Sequence, residues 1–281
     1  MFVVAQLGRM GNAMFQFAFG HALSRRLNAK WYLTDMHALR YFELGAYAAY
    51  RVRVGRILRK KSRAVARRAG LFKPEFVYVD ELAEPEGVMA EAGDGVTYSG
   101  HFQSEKYFVS AQQEVREMFT VKRRYRNEFD RQYGRLLNQR PLLVIHIRRT
   151  DYVEYCVLGA QDTSLPAAYY RSAMEALGER DQYQCIFVGD DLDWAREHFG
   201  NVRGAQFLRG DPIADFQLLT RADALILSNS SFAWWGAYLN DVRQKVVVAP
   251  KLWLGFKAAT EYPRGILAPD WRAIDVPTQG L

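Results

Sequence analysis

Apolar and polar positions along this chain recur with the periods of strands and helices in turn. The apolar run 2–5 predicts a buried strand, and apolar residues along one face of 14–27 predict a helix after it. The second half alternates more regularly, beginning with the almost continuous apolar run 142–147. The further predicted strands are 31–33, 184–188, 206–208, 224–227 and 245–249, and the further predicted helices are 110–119, 166–178, 192–199, 231–239 and one that begins at Asp211-Pro212.

Strands with unbroken apolar runs that alternate with helices are typical of a parallel sheet covered by helices on both faces. The fold class is therefore predicted to be α/β. A charged stretch, 122–140, ends at Pro141, and we predict two domains that meet there, 1–138 and 139–281. Ligands of such sheets bind beyond the carboxyl ends of the strands, so the polar residues that follow each predicted strand are the candidates for chemistry.

Composition narrows the class of protein. Of the 281 residues, 49% are hydrophobic and 25% are charged, as in an ordinary soluble globular protein. Two cysteines are too few for a disulfide framework, and no apolar run reaches the ~18 residues of a membrane span. The N-terminal run 1–5 is interpreted as a buried strand and not as a signal peptide, so we expect a cytoplasmic protein, at most attached to the inner face of a membrane.

The charge favours an anionic partner. The formal net charge is +7, and nucleic acid, acidic lipid and nucleotide diphosphate would all suit it. The stretch 51–73 holds ten Lys or Arg and no acidic residue. It is either a solvated insert or an amphipathic basic helix that docks on an anionic membrane. A non-enzymatic nucleic-acid-binding protein is a further alternative, although the chain has no known nucleic-acid-binding motif.

The best candidate for chemistry follows the predicted strand 142–147. His146 and Arg148 share one face of that strand, and Arg149 can turn toward the same space where the strand ends. A guanidinium fork matches two phosphate oxygens, and each such contact is worth roughly 1.5–3 kcal/mol. The segment therefore suits a phosphate group, with Asp151 holding one arginine in place. A surface salt bridge between Arg and Asp is the alternative that needs no ligand.

A second candidate is 228–236, which enters a predicted helix directly after a strand. Hydroxyl and backbone N–H groups at the start of a helix can bind an anion, although N-capping by Asn229 or Ser230 explains the same pattern without a ligand. The acidic run 190–193 contains three aspartates, which capping and compensation of the helix dipole explain better than a metal does. We therefore predict no metal site.

Four motifs stand in the same order as in a known family. They are Gly-x-x-Gly-Asn-x-Met-Phe-Gln-Phe-Ala-x-Gly at 8–20, Gly-x-Phe-Gln-Ser-Glu-Lys-Tyr-Phe at 100–108, His-x-Arg-Arg-x-Asp-Tyr at 146–152 and Asn-Ser-Ser-Phe-x-Trp-Trp-Gly-Ala at 229–237. In these motifs the chain resembles the α-1,2-fucosyltransferases of glycosyltransferase family 11 and, more distantly, the α-1,6- and protein O-fucosyltransferases. It departs from the family at Ala13, where Gln is usual, and in its extended basic stretch.

The resemblance implies a GT-B-like fold of two Rossmann-like domains that face a cleft, with the acceptor on the side of the N-terminal domain and the GDP-sugar in the C-terminal domain. It implies an inverting transfer of L-fucose from GDP-fucose to the 2-hydroxyl of a galactose-containing glycan, without a metal or another cofactor. A lipid-linked acceptor would give the basic stretch 51–73 a reason to dock on a membrane.

The resemblance also assigns roles to residues. Arg148, or else Arg149, would bind the diphosphate and stabilise the charge that develops on it. The base for the acceptor hydroxyl stays open between His146 and Asp151. The alternatives are an inactive glycan-binding relative and the same fold with another nucleotide-sugar. The residues implied to line the donor site are Arg9, Gly11, Asn12, His146, Asp190, Asn229, Ser230, Ser231 and Phe232.

Overall fold

The computed structural model describes residues 1–45, 75–137, 140–178 and 182–278. They belong to two compact units, residues 1–122 and 123–281, and each unit contains its own parallel sheet. The basic stretch 51–73 lies outside the described residues, so its interpretation as a helix that docks on a membrane stays a prediction.

The first unit contains a four-stranded parallel sheet in the order β2-β1-β4-β3. The predicted strands 2–5 and 31–33 are confirmed, whereas the strands 75–78 and 96–99 and the helix 85–91 had not been predicted. The elements in chain order are β1 (Phe2–Val4), α1 (Met10–Leu27), β2 (Trp31–Leu33), β3 (Glu75–Tyr78), α2 (Pro85–Glu91), β4 (Val96–Ser99) and α3 (Gln112–Met118).

Helix α1 begins at Met10 rather than at Met14, so Gly11 and Asn12 lie in its first turn and not in the preceding loop. The helix is buried on most of its surface, which is why apolar residues continue beyond one face. Gly20 permits its close packing on the sheet, since a Cβ there would lie 2.2 Å from the ring of Trp31. The sheet and α1 thereby form the core of this unit.

The second unit contains a six-stranded parallel sheet in the order β10-β9-β8-β5-β6-β7. Every strand and helix predicted for the second half is confirmed. The elements in chain order are α4 (Arg123–Leu137), β5 (Leu142–Ile147), α5 (Ala167–Ala176), β6 (Gln184–Gly189), α6 (Leu192–Phe199), β7 (Gln206–Phe207), α7 (Pro212–Leu219), β8 (Ala224–Ile226), α8 (Ser231–Tyr238), β9 (Val246–Pro250) and β10 (Arg272–Ile274).

Helix α4 belongs to the second unit, so the two units divide at 122/123 and not at 138/139, where the sequence had placed the boundary. The helix is highly charged, yet it buries Phe129 and Tyr133. Its Asp130 lies 2.5 Å from the guanidinium of Arg221, which also covers the ring of Phe129. A few apolar side chains among many charged ones therefore determine where this helix packs.

The topology brings three of the polar segments together. Strands β8, β5 and β6 are neighbours and run parallel, so their carboxyl ends lie at one edge of the sheet. Gly189 ends β6 with φ 135°, and a Cβ there would lie 2.0 Å from the carbonyl oxygen of Ile147. Only glycine allows β5 and β6 to approach so closely at this edge.

Among the described residues, no helix is both long and apolar enough to cross a bilayer.

Candidate functional site

The guanidinium of Arg148 is held between two carboxylates at the end of β5. Its Nη2 lies 2.5 and 2.6 Å from the two carboxylate oxygens of Asp151, and its Nη1 lies 2.8 Å from Oδ2 of Asp190. The side chain is 15% exposed and lies over the ring of Tyr152. The predicted pairing with Asp151 is thus present. Because a guanidinium has five N–H donors, Arg148 can keep both carboxylates and still donate to a ligand.

Asp190 orients the end of β5. Its Oδ1 accepts a hydrogen bond from the backbone N–H of Arg149 at 2.9 Å, and its Oδ2 accepts one from the hydroxyl of Thr150 at 2.7 Å as well as the contact from Arg148. Both oxygens are therefore engaged within the protein. This geometry supports a positioning role for Asp190 rather than the direct contact with the nucleotide that the resemblance implies.

Arg149 is held by an aromatic ring and a backbone carbonyl of its own unit. Its guanidinium lies 4.2 Å from the centre of the Trp194 ring and donates to the carbonyl oxygen of Leu165 at 3.3 Å. Its Nε lies 3.6 Å from Oδ2 of Asp191, which caps α6 by accepting from the N–H of Trp194. These contacts favour Arg148 over Arg149 as the residue that meets a ligand.

His146 is buried at the same edge. Its Nδ1 lies 2.8 Å from the hydroxyl oxygen of Ser228, and its ring lies 5.6 Å from that of Phe232. Burial, more than the nearby charge of Arg148, lowers its pKa to about 4, against a weaker opposing effect of Asp190. The imidazole is therefore neutral near pH 7, and it links the end of β5 to the segment that follows β8.

Helix α8 begins at this edge without a side-chain cap. Ser230 occupies the N-cap position, but its side chain accepts no capping hydrogen bond. Asn229 does not cap the helix either, since its amide donates to the carbonyl oxygen of Thr163 at 2.8 Å and its buried Oδ1 has no hydrogen-bond partner among the described residues. Neither Ser230 nor Asn229 thus supplies the side-chain cap that would have explained this pattern without a ligand. Ser231 and Phe232 form the first turn of the helix.

The remaining predicted residues lie in the first unit. Arg9 is the N-cap residue of α1, and Gly11 is buried within that helix. The Oδ1 of Asn12 accepts a hydrogen bond from the side chain of Gln103 at 2.8 Å. The turn that precedes α1 contains Gly8 at φ 72°. These residues lie beyond the carboxyl end of β1, the position in which parallel sheets bind ligands.

Asp215 was missed by the sequence analysis. It lies in the apolar helix α7 and is 8% exposed, and its Oδ1 has no hydrogen-bond partner among the described residues. Burial, assisted by the charge of Asp211, raises its pKa to about 7. Its neighbour Phe216 packs against Phe232 of α8. A single acid within the apolar run 213–219 was the available signal, and a strongly perturbed buried acid is a functional candidate.

The described ranges contain no group of three or more His, Cys, Asp or Glu side chains that could hold a metal ion. The acidic run 190–193 has other partners. Asp191 caps α6, and Asp193 pairs with Arg196 and Arg209. Within this run Asp191 therefore has the predicted capping role.

The arrangement suits an anion with directed acceptor atoms. A guanidinium held by two carboxylates and a helix start whose N-cap residue gives no side-chain cap lie at one sheet edge, and both carry N–H groups. A family model, glycosyl transferase family 11, matches residues 88–275, which is more than half of the chain. This chain belongs to glycosyltransferase family 11.

Relatives of this family 11 glycosyltransferase include bacterial and primate proteins. A protein of Escherichia coli named alpha-1,2-colitosyltransferase is 27% identical over 270 residues, which cover 89% of this chain and 92% of that protein. The galactoside alpha-(1,2)-fucosyltransferase 1 of Plecturocebus brunneus is 28% identical over 163 residues, which cover 53% of this chain and 44% of that protein.

Solved structures confirm the fold class. The fucosyltransferase NodZ from Bradyrhizobium has a TM-score of 0.53 at 11% identity, and the match covers 84% of this chain and 91% of NodZ. The family 11 enzyme therefore has the GT-B fold, with a Rossmann-like sheet in each unit.

Proposed function

We propose that this enzyme transfers L-fucose from GDP-fucose to the 2-hydroxyl of a galactose-containing glycan, with inversion at the sugar carbon. The observation that carries the proposal is Arg148, which is fixed between Asp151 and Asp190 at the end of β5. The four fucosyltransferase-like motifs and the relative named galactoside alpha-(1,2)-fucosyltransferase support the sugar and the linkage.

The reaction requires the stabilisation of a leaving diphosphate. When the bond between the sugar carbon and the phosphate oxygen breaks, its electron pair leaves with GDP and negative charge grows on the β-phosphate. A cation already fixed beside that oxygen stabilises the change without reorganisation. Because each ~1.4 kcal/mol of stabilisation gives a tenfold rate, a directed contact from Arg148 worth roughly 1.5–3 kcal/mol accelerates the reaction about ten- to a hundredfold.

We also propose that the transfer needs no metal ion, because fixed N–H donors can stabilise the leaving diphosphate. Arg148 and the N–H groups at the start of α8 would supply the positive charge that a bound divalent cation supplies in other transferases. Transfer should therefore continue after treatment with a chelator. A complete loss of activity in EDTA that Mg²⁺ or Mn²⁺ restores would contradict this part.

A second donor has support from one specific observation. The bacterial relative matched over 89% of this chain is named a colitosyltransferase, and colitose is fucose without the 3-hydroxyl. A site that hydrogen-bonds a hydroxyl rejects the analogue that lacks it by a factor of about 10⁴, whereas an apolar site discriminates far less. The ratio of kcat/KM for the two GDP-sugars therefore identifies the donor.

The test is a GDP-release assay with GDP-fucose, GDP-colitose and GDP-mannose against a panel of β-galactosides. We expect GDP-fucose to give the highest kcat/KM, and a 2-O-methyl galactoside to be inactive because its 2-hydroxyl is blocked. An α-linkage at the 2-position, read by NMR of the product, is the expected stereochemistry. If the 2-O-methyl galactoside were turned over as fast as the unblocked galactoside, the proposed acceptor position would be refuted. A higher kcat/KM with GDP-colitose than with GDP-fucose would show that colitose is the sugar transferred.

The acceptor is proposed to be lipid-linked, with the basic stretch 51–73 docking on anionic membrane. Vesicles that contain an anionic lipid should bind the wild-type protein and release it when Arg59, Lys60 and Lys61 are neutralised, because each basic residue near such a surface contributes about 1 kcal/mol. Unchanged binding of the neutralised variant would exclude this docking site.

A further inference from the structure

A loop of the second unit exposes apolar side chains close to Arg148. The segment 152–163 follows β5 and the motif that contains Arg148. Eight large hydrophobic side chains are exposed among the described residues, and three of them, Val153, Tyr155 and Leu158, lie in this segment. Single exposed apolar residues are ordinary, whereas a cluster of them marks a surface that meets a partner. The 152–163 loop is therefore a candidate recognition surface.

The loop is ordered by backbone hydrogen bonds at its base and at its tip. At the base, the N–H of Thr163 donates to the carbonyl oxygen of Tyr152 at 2.9 Å. At the tip, the buried Val157 exchanges two hydrogen bonds of 2.9 Å with Ala160, and the turn 158–159 between them has φ values of 51° and 82°. Two successive positive φ values are those of a tight hairpin turn. A ligand of this loop therefore binds to a frame that is already ordered, which favours affinity.

Two other segments of the second unit anchor the loop. The amide of Asn229, just before α8, donates to the carbonyl oxygen of Thr163 at 2.8 Å. The ammonium of Lys257, which lies between β9 and β10, donates to the carbonyl oxygen of Gln161 at 3.1 Å and lies 3.9 Å from a carboxylate oxygen of Asp162. The loop is therefore tied to the segments that follow β8 and β9, at the carboxyl edge of the sheet.

Two aromatic rings connect Arg148 with the exposed part of the loop. The guanidinium carbon of Arg148 lies 5.2 Å from the centre of the Tyr152 ring, and the centre of the Tyr155 ring lies 6.1 Å from that of Tyr152. These two distances place the Tyr155 ring within about 11 Å of the guanidinium. An oligosaccharide whose terminal sugar reacts beside Arg148 spans such a distance, so its neighbouring sugars can reach the loop.

The charge of the loop selects among the partners that an apolar surface could bind. The segment 152–163 contains two acidic residues, Glu154 and Asp162, and no basic residue. An anionic lipid surface or a nucleic acid would be repelled by these carboxylates. A neutral ligand that has both apolar and hydroxyl groups meets no such repulsion, and its hydroxyls can donate to the exposed Glu154.

A galactose ring has the shape that an exposed aromatic side chain recognises. Its 4-hydroxyl is axial, so the opposite face of the ring presents a continuous patch of C–H groups. The face of an aromatic ring carries partial negative charge and attracts such C–H groups, in addition to the apolar area that the contact buries. The Tyr155 side chain, which is 43% exposed, leaves part of its ring open to a contact of this kind.

We propose that Val153, Tyr155 and Leu158 form the surface on which the acceptor glycan packs, with the Tyr155 ring against the C–H face of a sugar. Tyr155 is thus a specificity-determining residue and takes no part in the bonds that form and break. The family resemblance implies an acceptor on the side of the first unit, and the loop adds a contact that it does not assign. This inference rests on the proposed function, since it requires a glycan acceptor.

The test compares Tyr155→Ala and Tyr155→Phe in the whole chain, with the β-galactoside that gives the highest kcat/KM in the panel above. We expect Y155A to raise KM for the galactoside about five- to thirtyfold at almost unchanged kcat, because the contact is made in the ground state and the transition state alike. Y155F keeps the ring, so its KM should stay within about threefold of the wild type. The matched control is Tyr78→Ala, which removes an exposed tyrosine of the first unit and should leave KM unchanged.

Donor kinetics separate this role from a structural one. The KM for GDP-fucose and the slow release of GDP without acceptor should stay within about twofold in Y155A, since the contacts of Arg148 are kept. A galactoside KM within twofold of the wild type in Y155A, or an equal rise in KM for GDP-fucose, would overturn the proposal.

Two further outcomes would also count against it. An equal loss in Y155F and Y155A would show that the hydroxyl and not the ring is recognised. A wild-type dimer that Y155A loses in light scattering, with an unchanged galactoside KM, would make the loop an interface between copies of the chain. All these outcomes presuppose a wild-type protein that fucosylates a galactoside, and a wild type that transfers fucose to no glycan contradicts the proposed function instead.

Discussion

The buried Asp215 should make the protein less stable at neutral and alkaline pH than it would be with an uncharged side chain. Its pKa is raised from 3.8 to about 7 because the carboxylate is buried near Asp211. The folded state therefore holds a proton between about pH 4 and pH 7 that the unfolded state releases, so the free energy of unfolding falls as the pH rises through this window. The full difference corresponds to up to about 4 kcal/mol.

Asp215→Asn removes the charge while it keeps the size of the side chain. We expect the variant to be more stable than the wild type by up to about 4 kcal/mol at pH 8 and by almost nothing at pH 4. Guanidinium unfolding followed by tryptophan fluorescence measures this, since five of the six tryptophans lie in the second unit. Titration of the same variant with GDP shows whether the carboxyl also serves the nucleotide.

The comparison of variant and wild type removes the contribution of His146. Its pKa is lowered to about 4, so this group costs stability as the pH falls from about 6.5 to 4, which is opposite in sign to the effect of Asp215. Both proteins contain His146, and its effect cancels in the difference. A stability difference between D215N and wild type that does not change from pH 4 to pH 8 would refute the reasoning.

Three other substitutions test the sheet edge. Arg148→Lys should weaken GDP binding about ten- to a hundredfold in calorimetric titration, because an ammonium cannot replace the guanidinium fork. The control is Arg209→Lys, which changes an exposed arginine. If R148K bound GDP as tightly as the wild type, the proposed role of Arg148 in diphosphate binding would be refuted. Arg149→Ala should lower the free energy of unfolding by about 2–3 kcal/mol, since it loses the contacts to Trp194 and Leu165; an unchanged stability would contradict this. Gly189→Ala should cost about 3 kcal/mol or more because its Cβ meets the backbone of β5, and a soluble variant of wild-type Tm would show that the strand can shift.

The second unit could be predicted closely because its strands are buried on both faces. A run such as 142–147 is apolar at almost every position, and the turns that follow it carry the polar residues. Because ligands of parallel sheets bind beyond the carboxyl ends of the strands, the segments after β5, β6 and β8 could be named as candidates without any knowledge of strand order. Helix α4 was not predicted because its charged residues hide the few apolar side chains that determine its packing.

The contact between His101 and Glu81 could not be found from the sequence. Glu81 and His101 are separated by 20 residues, and only the pairing of β3 with β4 brings them together. Strand β3 itself has exposed residues at three of its four positions, so no alternation marks it as buried. Asp215 left one signal in the sequence, a lone acid within an apolar helix, but its burial follows from the packing of that helix and not from its residue type.

The charges at the edge of the second unit determine how the proposed diphosphate would be recognised there. Arg148 and Arg149 face three carboxylates, those of Asp151, Asp190 and Asp191, so the local charges do not sum to an attractive positive field. The formal net charge of +7 therefore does not account for the diphosphate binding that we propose at this edge. The carboxylates instead fix the guanidinium of Arg148 in one orientation, and preorganised N–H donors stabilise a developing charge more effectively than mobile cations of greater number. We therefore expect the direction of the donors, rather than the amount of charge, to determine the affinity of the proposed site for a leaving phosphate.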